Sequence, residues 1–153
     1  MEKVLVSGCF LGQRVRYDGD TKTLDNQAIS RWQAQGRIIA ICPEVSGGLP
    51  TPRSPAEYQP GLDKVVTCDG DDVTDAFERG AQNALRLCQQ YNIRYALLKE
   101  SSPSCGSTQV YNGTFNNEKV PGEGITTKLL RAHGIQVFSE VNIAELIAII
   151  DRQ

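Results

Sequence analysis

Lys3-Val4-Leu5-Val6-Ser7-Gly8-Cys9 is the stretch on which the fold turns. Val4, Leu5 and Val6 are apolar without alternation, the pattern of a short strand covered on both faces, and Ser7-Gly8-Cys9 closes it. The same phrase recurs down the chain. Arg37–Ile41 is apolar and ends in Cys42-Pro43, Ile93–Leu98 runs into the loop Lys99–Thr108 that holds Cys105, and Ile135–Phe138 makes a fourth run.

Helical patterns separate these runs. One spans about Leu24 to Gln35, with Ala28, Ile29 and Trp32 on one face and Gly36 suited to the left-handed residue after a helix. A second opens at Asp72 or Thr74 and reaches about Tyr91, with Val73, Phe77, Ala81, Ala84, Cys88 and Tyr91 at helical spacing. Gly122–His133, stopped by Gly134, is a third; Asn142 with Glu145 three residues on opens the last as a capping-box variant. Strands alternating with helices predict an α/β fold with a doubly wound, mostly parallel, Rossmann-like sheet and helices on both faces. Such a sheet carries the carboxyl ends of its strands on one rim, where ligands bind. Topology therefore places Cys9, Cys42 and Cys105 on the same rim.

Three stretches read less regularly. Residues 43–61 contain Pro43, Pro50, Pro52, Pro55 and Pro60 and predict a long, stiff, irregular loop of functional kind. Val65–Cys68 reads as a short edge strand closed by Asp69-Gly70. Val110-Tyr111 and Thr114-Phe115 flank Asn112-Gly113, a type I′ hairpin signal.

The chain of 153 residues fits one domain spanning 1–153, long enough to bury a core. With 16 basic and 18 acidic residues its net charge is −2, which gives no electrostatic basis for binding a nucleic-acid polymer or a membrane surface. It holds no apolar run of about 18 residues, and its N-terminal apolar stretch is too short for a signal peptide. A cytoplasmic location is expected. Five cysteines, an odd number without close spacing, do not form a secreted disulfide framework.

Three thiolates suit soft metals: zinc, copper(I) or an iron–sulfur cluster. Structural zinc takes four ligands, usually in close pairs, yet the chain has no C-x₂-C and one histidine, His133. A three-cysteine cluster with an open iron fits better. Cys88 lies in a helical apolar stripe and reads as core, and Cys68 as a partly exposed bystander. Glu44, two residues after Cys42, is a candidate proton carrier whose pKa a closed pocket would raise. Ser102 is placed to donate a hydrogen bond or position water. Gly122-Glu123-Gly124 before a helix resembles an anion-binding N-terminus, with Arg53 and Lys99 as phosphate partners. His133, beside Gly134, is expected to serve the helix dipole.

Cys-Pro-Glu-Val-Ser-Gly-Gly-Leu-Pro-Thr-Pro-Arg at 42–53 is highly distinctive. Together with Ser7-Gly-Cys-Phe-Leu-Gly, Arg16-Tyr-Asp-Gly, Lys99-Glu-Ser-Ser-Pro-Ser-Cys-Gly and Gly122-Glu-Gly-Ile-Thr, it resembles the thiouracil desulfidase (TudS) family in its short, single-domain form. The resemblance spans essentially the whole chain. It implies a [4Fe–4S] cluster on Cys9, Cys42 and Cys105, flanked by Glu44 and Ser102. It also implies non-redox removal of sulfur from a small thiopyrimidine (thiouracil, thiouridine or thio-UMP), with sulfide released and no obligatory redox partner. One position departs from the pattern: Val15 stands where many relatives carry cysteine. The competing class is a non-enzymatic cluster protein, a redox or iron sensor, which would need a partner surface that no basic patch supplies. A thiol redox protein would call for a C-x-x-C that the chain lacks.

Overall fold

The computed structural model describes residues 2–20, 23–24, 26–59 and 61–152. Four short strands, β1 (Val4–Ser7), β2 (Ile38–Ile41), β5 (Tyr95–Leu97) and β8 (Gln136–Phe138), form a parallel sheet in the order β2-β1-β5-β8. The chain builds outward from β1 to β2 and then returns to place β5 on the other side of β1. That reversal puts a topological switch point between β1 and β5, where open α/β sheets bind ligands.

Alternation in the strands explains why both faces are covered. Val4, Val6, Tyr95, Leu97 and Phe138 pack on one face with Ala28, Ile29 and Trp32 of α1 (Gln27–Ala34) and Leu146 and Ile150 of α5 (Ile143–Asp151). Leu5, Ala96, Leu98 and Val137 face the opposite layer, where Ala84, Leu85 and Cys88 of α3 (Thr74–Gln90) and Leu130 of α4 (Ile125–Ala132) cover them. The doubly wound reading therefore holds, and Cys88 is a core thiol as its spacing predicts. No helix among the described residues is long and apolar enough to cross a membrane.

Helix boundaries shift where local chemistry decides them. The first helix begins later than its apolar pattern, because the Asn26 side chain accepts the Ala28 N–H at 2.8 Å; Asp25, inside the expected span, lies outside the described residues. Asp72 accepts the Thr74 N–H at 3.0 Å, whereas the Thr74 hydroxyl accepts the Val65 N–H at 2.9 Å and ties that strand to α3. Tyr91 ends α3 and is 40% exposed, so it does not share the inner face. Gly36 and Gly134 adopt the left-handed conformation after their helices. At α5 the capping box does not form: the Asn142 side chain accepts the Ser139 N–H at 2.7 Å instead of a helix N–H.

The proline-rich stretch is more ordered than a loop. Pro43 opens a one-turn helix, α2 (Pro43–Ser46), and β3 (Ala56–Gln59) pairs antiparallel with β4 (Lys64–Thr67) in a separate hairpin. Pro60 lies outside the described residues. The expected edge strand is thus β4, joined to β3 and not to the main sheet. A second hairpin pairs β6 (Gln109–Tyr111) with β7 (Lys119–Pro121). Its connection is seven residues, 112–118, rather than the two-residue turn that Asn112-Gly113 predicts. The Asn112 side chain accepts the Thr114 N–H at 3.0 Å, and the Glu57 carboxylate accepts the N–H groups of Gly113 at 2.8 Å and Phe115 at 3.3 Å. A carboxylate from the other hairpin therefore stabilises the wide turn.

Candidate functional site

The carboxyl ends of β1, β2 and β5 and the two hairpins enclose a cavity of about 270 Å³. Cys9, Cys42, Glu44, Arg53, Lys99, Ser102 and Cys105 all line it. Seven of the nine candidate site residues are thereby brought together from the segments that follow β1, β2 and β5.

Each cysteine is held by a different local device. Cys9 lies in a short 3₁₀ turn, Gly8–Leu11, directly after β1. Cys42 is the N-cap of α2, and the N–H groups of Val45 and Glu44 favour its thiolate. Helix α2 in turn sits backbone to backbone on α3. A Cβ on Gly47 would lie 1.9 Å from the Ala76 carbonyl oxygen, and one on Gly80 equally close to that of Pro43. Cys105 is fixed by its own N–H, which donates to Ser102 Oγ at 2.7 Å, while the Thr127 hydroxyl donates to its carbonyl at 2.8 Å.

The thiols feel one another. Burial raises the Cys9 pKa to about 11, and the neighbouring Cys42 adds to the rise while Lys99 and Arg16 oppose it. Burial also raises Cys42 and Cys105; Glu44 and Cys42 push Cys105 further up, and hydrogen bonds from Ser104 and Ser102 resist. Anionic sulfur here calls for a cationic partner such as a metal centre.

Glu44 is drawn up by burial and held back by Arg53. Arg53 Nη2 lies 3.3 Å from Glu44 Oε1 and 3.0 Å from the Val15 carbonyl, while Nη1 donates to Pro50 O at 3.2 Å and Thr51 Oγ1 at 3.1 Å. With its side chain only 7% exposed and its donors engaged, Arg53 is a strut across the loop and not the free phosphate partner expected. Val15 contributes its carbonyl, which also lies 3.7 Å from Cys42 Sγ, a role any residue type can fill. Lys99 Nζ pairs with Glu140 at 2.9 Å and donates to the Glu100 carbonyl at 3.2 Å, and its backbone N–H donates to Ser7 Oγ at 3.0 Å.

Gly122 and Gly124 do not line the cavity. The N–H groups needed for an anion are spent on the Cys105 loop. Gly122 donates to Thr108 O at 3.0 Å, Gly124 to Gly106 O at 2.8 Å, Ile125 to Pro103 O at 2.9 Å and Thr126 to Ser104 O at 2.8 Å. A Cβ on Gly124 would lie 2.4 Å from Ser104. Its glycine serves close packing behind Cys105, which corrects the anion-site expectation. His133 accords with its reading: its ring Nδ1 lies 3.0 Å from the Leu129 carbonyl.

Sequence reasoning missed the rest of the lining, including Arg16, Glu57, Glu100, Tyr111 and Lys119. Glu100 had a signal, its place in the run before Cys105. The hairpin residues had none, since only tertiary packing swings them over the rim.

Three thiols form a donor set suited to an iron–sulfur cluster or another soft metal centre. Among the described residues no group of three His, Cys, Asp or Glu side chains stands close enough to hold a single metal ion. In an iron–sulfur cluster, hydrogen bonds to the cysteine sulfurs tune the centre. Cys42 and Cys105 carry such bonds.

The chain is similar to known proteins along nearly its whole length. The family model described as 2-thiouracil desulfurase matches residues 4–142. YbbK of Bacillus subtilis (strain 168) is 37% identical over 152 residues, covering 94% of this chain and 99% of that protein. A solved structure of the [4Fe-4S]-dependent thiouracil desulfidase TudS superposes with a TM-score of 0.96 at 54% identity, with 100% of both chains covered. Strand-end cysteines on a doubly wound sheet and a family match across nearly the whole chain lead to one assignment: the chain belongs to the 2-thiouracil desulfurase family of enzymes.

Proposed function

We propose that this chain is a desulfidase that replaces the sulfur of a thiolated pyrimidine (thiouracil, thiouridine or thio-UMP) with oxygen, releasing sulfide without net oxidation or reduction. Cys9, Cys42 and Cys105 would hold a [4Fe–4S] cluster through three irons. The observation that carries this reading is the convergence of those three thiols with Glu44 and Ser102 on one cavity. When bound, the cluster supplies a soft Lewis acid for the thiocarbonyl sulfur.

The remaining chemistry falls to the protein. Glu44, with its pKa raised by burial and its oxygen held by Arg53, accepts a proton from the attacking water. The proton then goes to the departing sulfur. Thiocarbonyl plus water gives carbonyl plus hydrogen sulfide, so the balance closes without electrons and no reductase is required. Ser102 keeps Cys105 in place and offers its hydroxyl to that sulfur. Lys99 and Arg16 oppose the build-up of negative charge near Cys9. The glycine N–H groups being engaged, any preference for an anionic substrate rests on cavity-lining cations such as Arg16 and Lys119.

The test is sulfide release by anaerobically reconstituted protein from 2-thio and 4-thio pyrimidines, each as base, nucleoside and nucleotide. Wild type is expected to release stoichiometric sulfide from at least one of them, and Cys42→Ala none. Full activity in Cys42→Ala would remove the cluster from the reaction. An iron-loaded wild type that desulfurises none of the panel would favour the sensor class.

A further inference from the structure

Glu100 is a buried carboxylate, 7% exposed, that the proposed reaction does not use. Its Oε1 accepts four backbone N–H groups: Ser107 at 2.8 Å, Ser101 and Thr108 at 3.1 Å, and Gln109 at 3.3 Å. The other oxygen accepts the Ser107 hydroxyl. Its own N–H donates to Glu140 at 2.8 Å, which anchors residue 100 to the segment after β8. One anion thus serves as the centre around which residues 101–109 fold. Ser101 reinforces the point, since it is buried with φ +72°, a left-handed conformation that a serine keeps only where its surroundings impose it. That span carries Ser102 and Cys105, and its carbonyls receive the first N–H groups of α4.

We infer that Glu100 is the positioning residue of the site: its carboxylate holds the 101–109 loop in the shape that aims Cys105 and Ser102 into the cavity. It acts through those two residues, its own oxygens being engaged by the loop's N–H groups and the Ser107 hydroxyl. A carboxylate is required because converging N–H dipoles demand a full negative charge; a neutral amide satisfies fewer of them and more weakly. The inference rests on the desulfidase proposal only for its consequence, so its test reads the loop itself.

In the full-length chain freed of iron, thiol alkylation is followed site by site by mass spectrometry. Cys105 (4% exposed) reports the loop and Cys88 (2% exposed), in the core, reports global opening. Glu100→Gln is expected to speed labelling of Cys105 about tenfold while leaving Cys88 unchanged, as a local opening does. Ser107→Ala, which removes one donor and keeps the charge, should show the same selectivity at smaller amplitude, and it decides the matter if the glutamine variant does not fold. After reconstitution, both variants should hold less iron than wild type. Parallel acceleration of Cys105 and Cys88, or no change at Cys105 in either variant, would overturn the inference. A wild type that releases no sulfide from thiopyrimidines would overturn the desulfidase proposal and leave the labelling result intact.

Discussion

At the scale of single residues, two carboxylates in one cavity are driven in opposite directions. Glu44 is buried against a single cation, and desolvation wins, raising its pKa. Burial would raise Glu100 as well, but the Ser107 hydroxyl and the N–H groups of Thr108, Ser107 and Gln109 outweigh it and bring the pKa to about 2. Glu44 is thereby suited to move a proton and Glu100 to remain an anion. Replacing Glu44 with Gln should cut the rate of sulfide release by about 10²–10⁴-fold with iron content unchanged, measured on reconstituted protein. Equal losses of iron and activity would make Glu44 a structural residue instead. Glu100 gives a prediction about stability and pH. A carboxyl whose pKa falls on folding stabilises the native state above its unfolded value, and that contribution disappears as pH drops through the folded one. From the ordinary 4.5 to about 2, the difference is worth about 3 kcal/mol. Urea denaturation should find Glu100→Gln less stable by that amount at pH 7, with the gap narrowing below pH 4.5. A gap that stays constant down to pH 3 would show that the charge is not the source.

At the scale of elements, the site depends on helices that approach other backbone closely enough to exclude a side chain. Helix α2, one turn long, has little stability of its own and rests on α3 through Gly47 and Gly80. Gly80→Ala would drive a methyl group into the Pro43 carbonyl, and neither side can yield as a flexible side chain would. Because Cys42 and Glu44 travel with α2, the expected result is a loss of about 2–3 kcal/mol, or roughly 5–10 °C in melting temperature. Iron uptake should fall with it. Calorimetry and iron analysis on one preparation check both, and an unperturbed melting temperature would mean the contact is looser than described. The same elements show what the sequence could reveal. Strands with uniform apolar runs, such as Val4–Ser7, were legible because burial on both faces leaves its own pattern, and topology then placed three cysteines on one rim. Glu44 and Ser102 came along as near neighbours of those cysteines. Hairpin β3–β4 was not legible, since its pairing partner lies within a proline-rich stretch whose local signals all point to loop. The wide turn after Tyr111 was misread because Asn112-Gly113 is a local signal, whereas the Glu57 carboxylate that opens the turn comes from elsewhere in the chain. Gly124 was misread for a related reason: its neighbours' N–H groups look free in sequence, and only packing shows that Ser104 and Pro103 receive them.

At the scale of the whole molecule, the candidate cluster site lies at the edge of a core that does not depend on it. Two apolar layers cover the two faces of the sheet, and of the candidate ligands only Cys9 and Cys105 reach their edges. The three segments bearing Cys9, Cys42 and Cys105 are a different matter, since they follow β1, β2 and β5 and bring two buried thiols and a half-buried one to one cavity. The proposed cluster, held by all three, would tie those loops to one another and stabilise the folded chain by mass action. This differs from a zinc finger, in which the metal-free chain is unfolded. Removing iron with a chelator under reducing conditions should therefore leave the far-ultraviolet circular dichroism intact and lower the melting temperature by about 5–10 °C, the shift that about 2–3 kcal/mol produces in a chain of this size. The size of the change should depend on which thiol is present. Cys42→Ser is expected to melt at the same temperature before and after chelation, because one of its three anchors is gone. Cys88→Ser should melt lower than wild type in both states, owing to the altered core, and retain the full difference between them. If stripped and loaded wild type melted together, the loops would not be cross-linked by a cluster. If the stripped chain lost its secondary structure, the core would not be independent of the site. The first result would require a different account of why three cysteines from three separate strand ends meet in one cavity, and the second would make the cluster part of the fold itself.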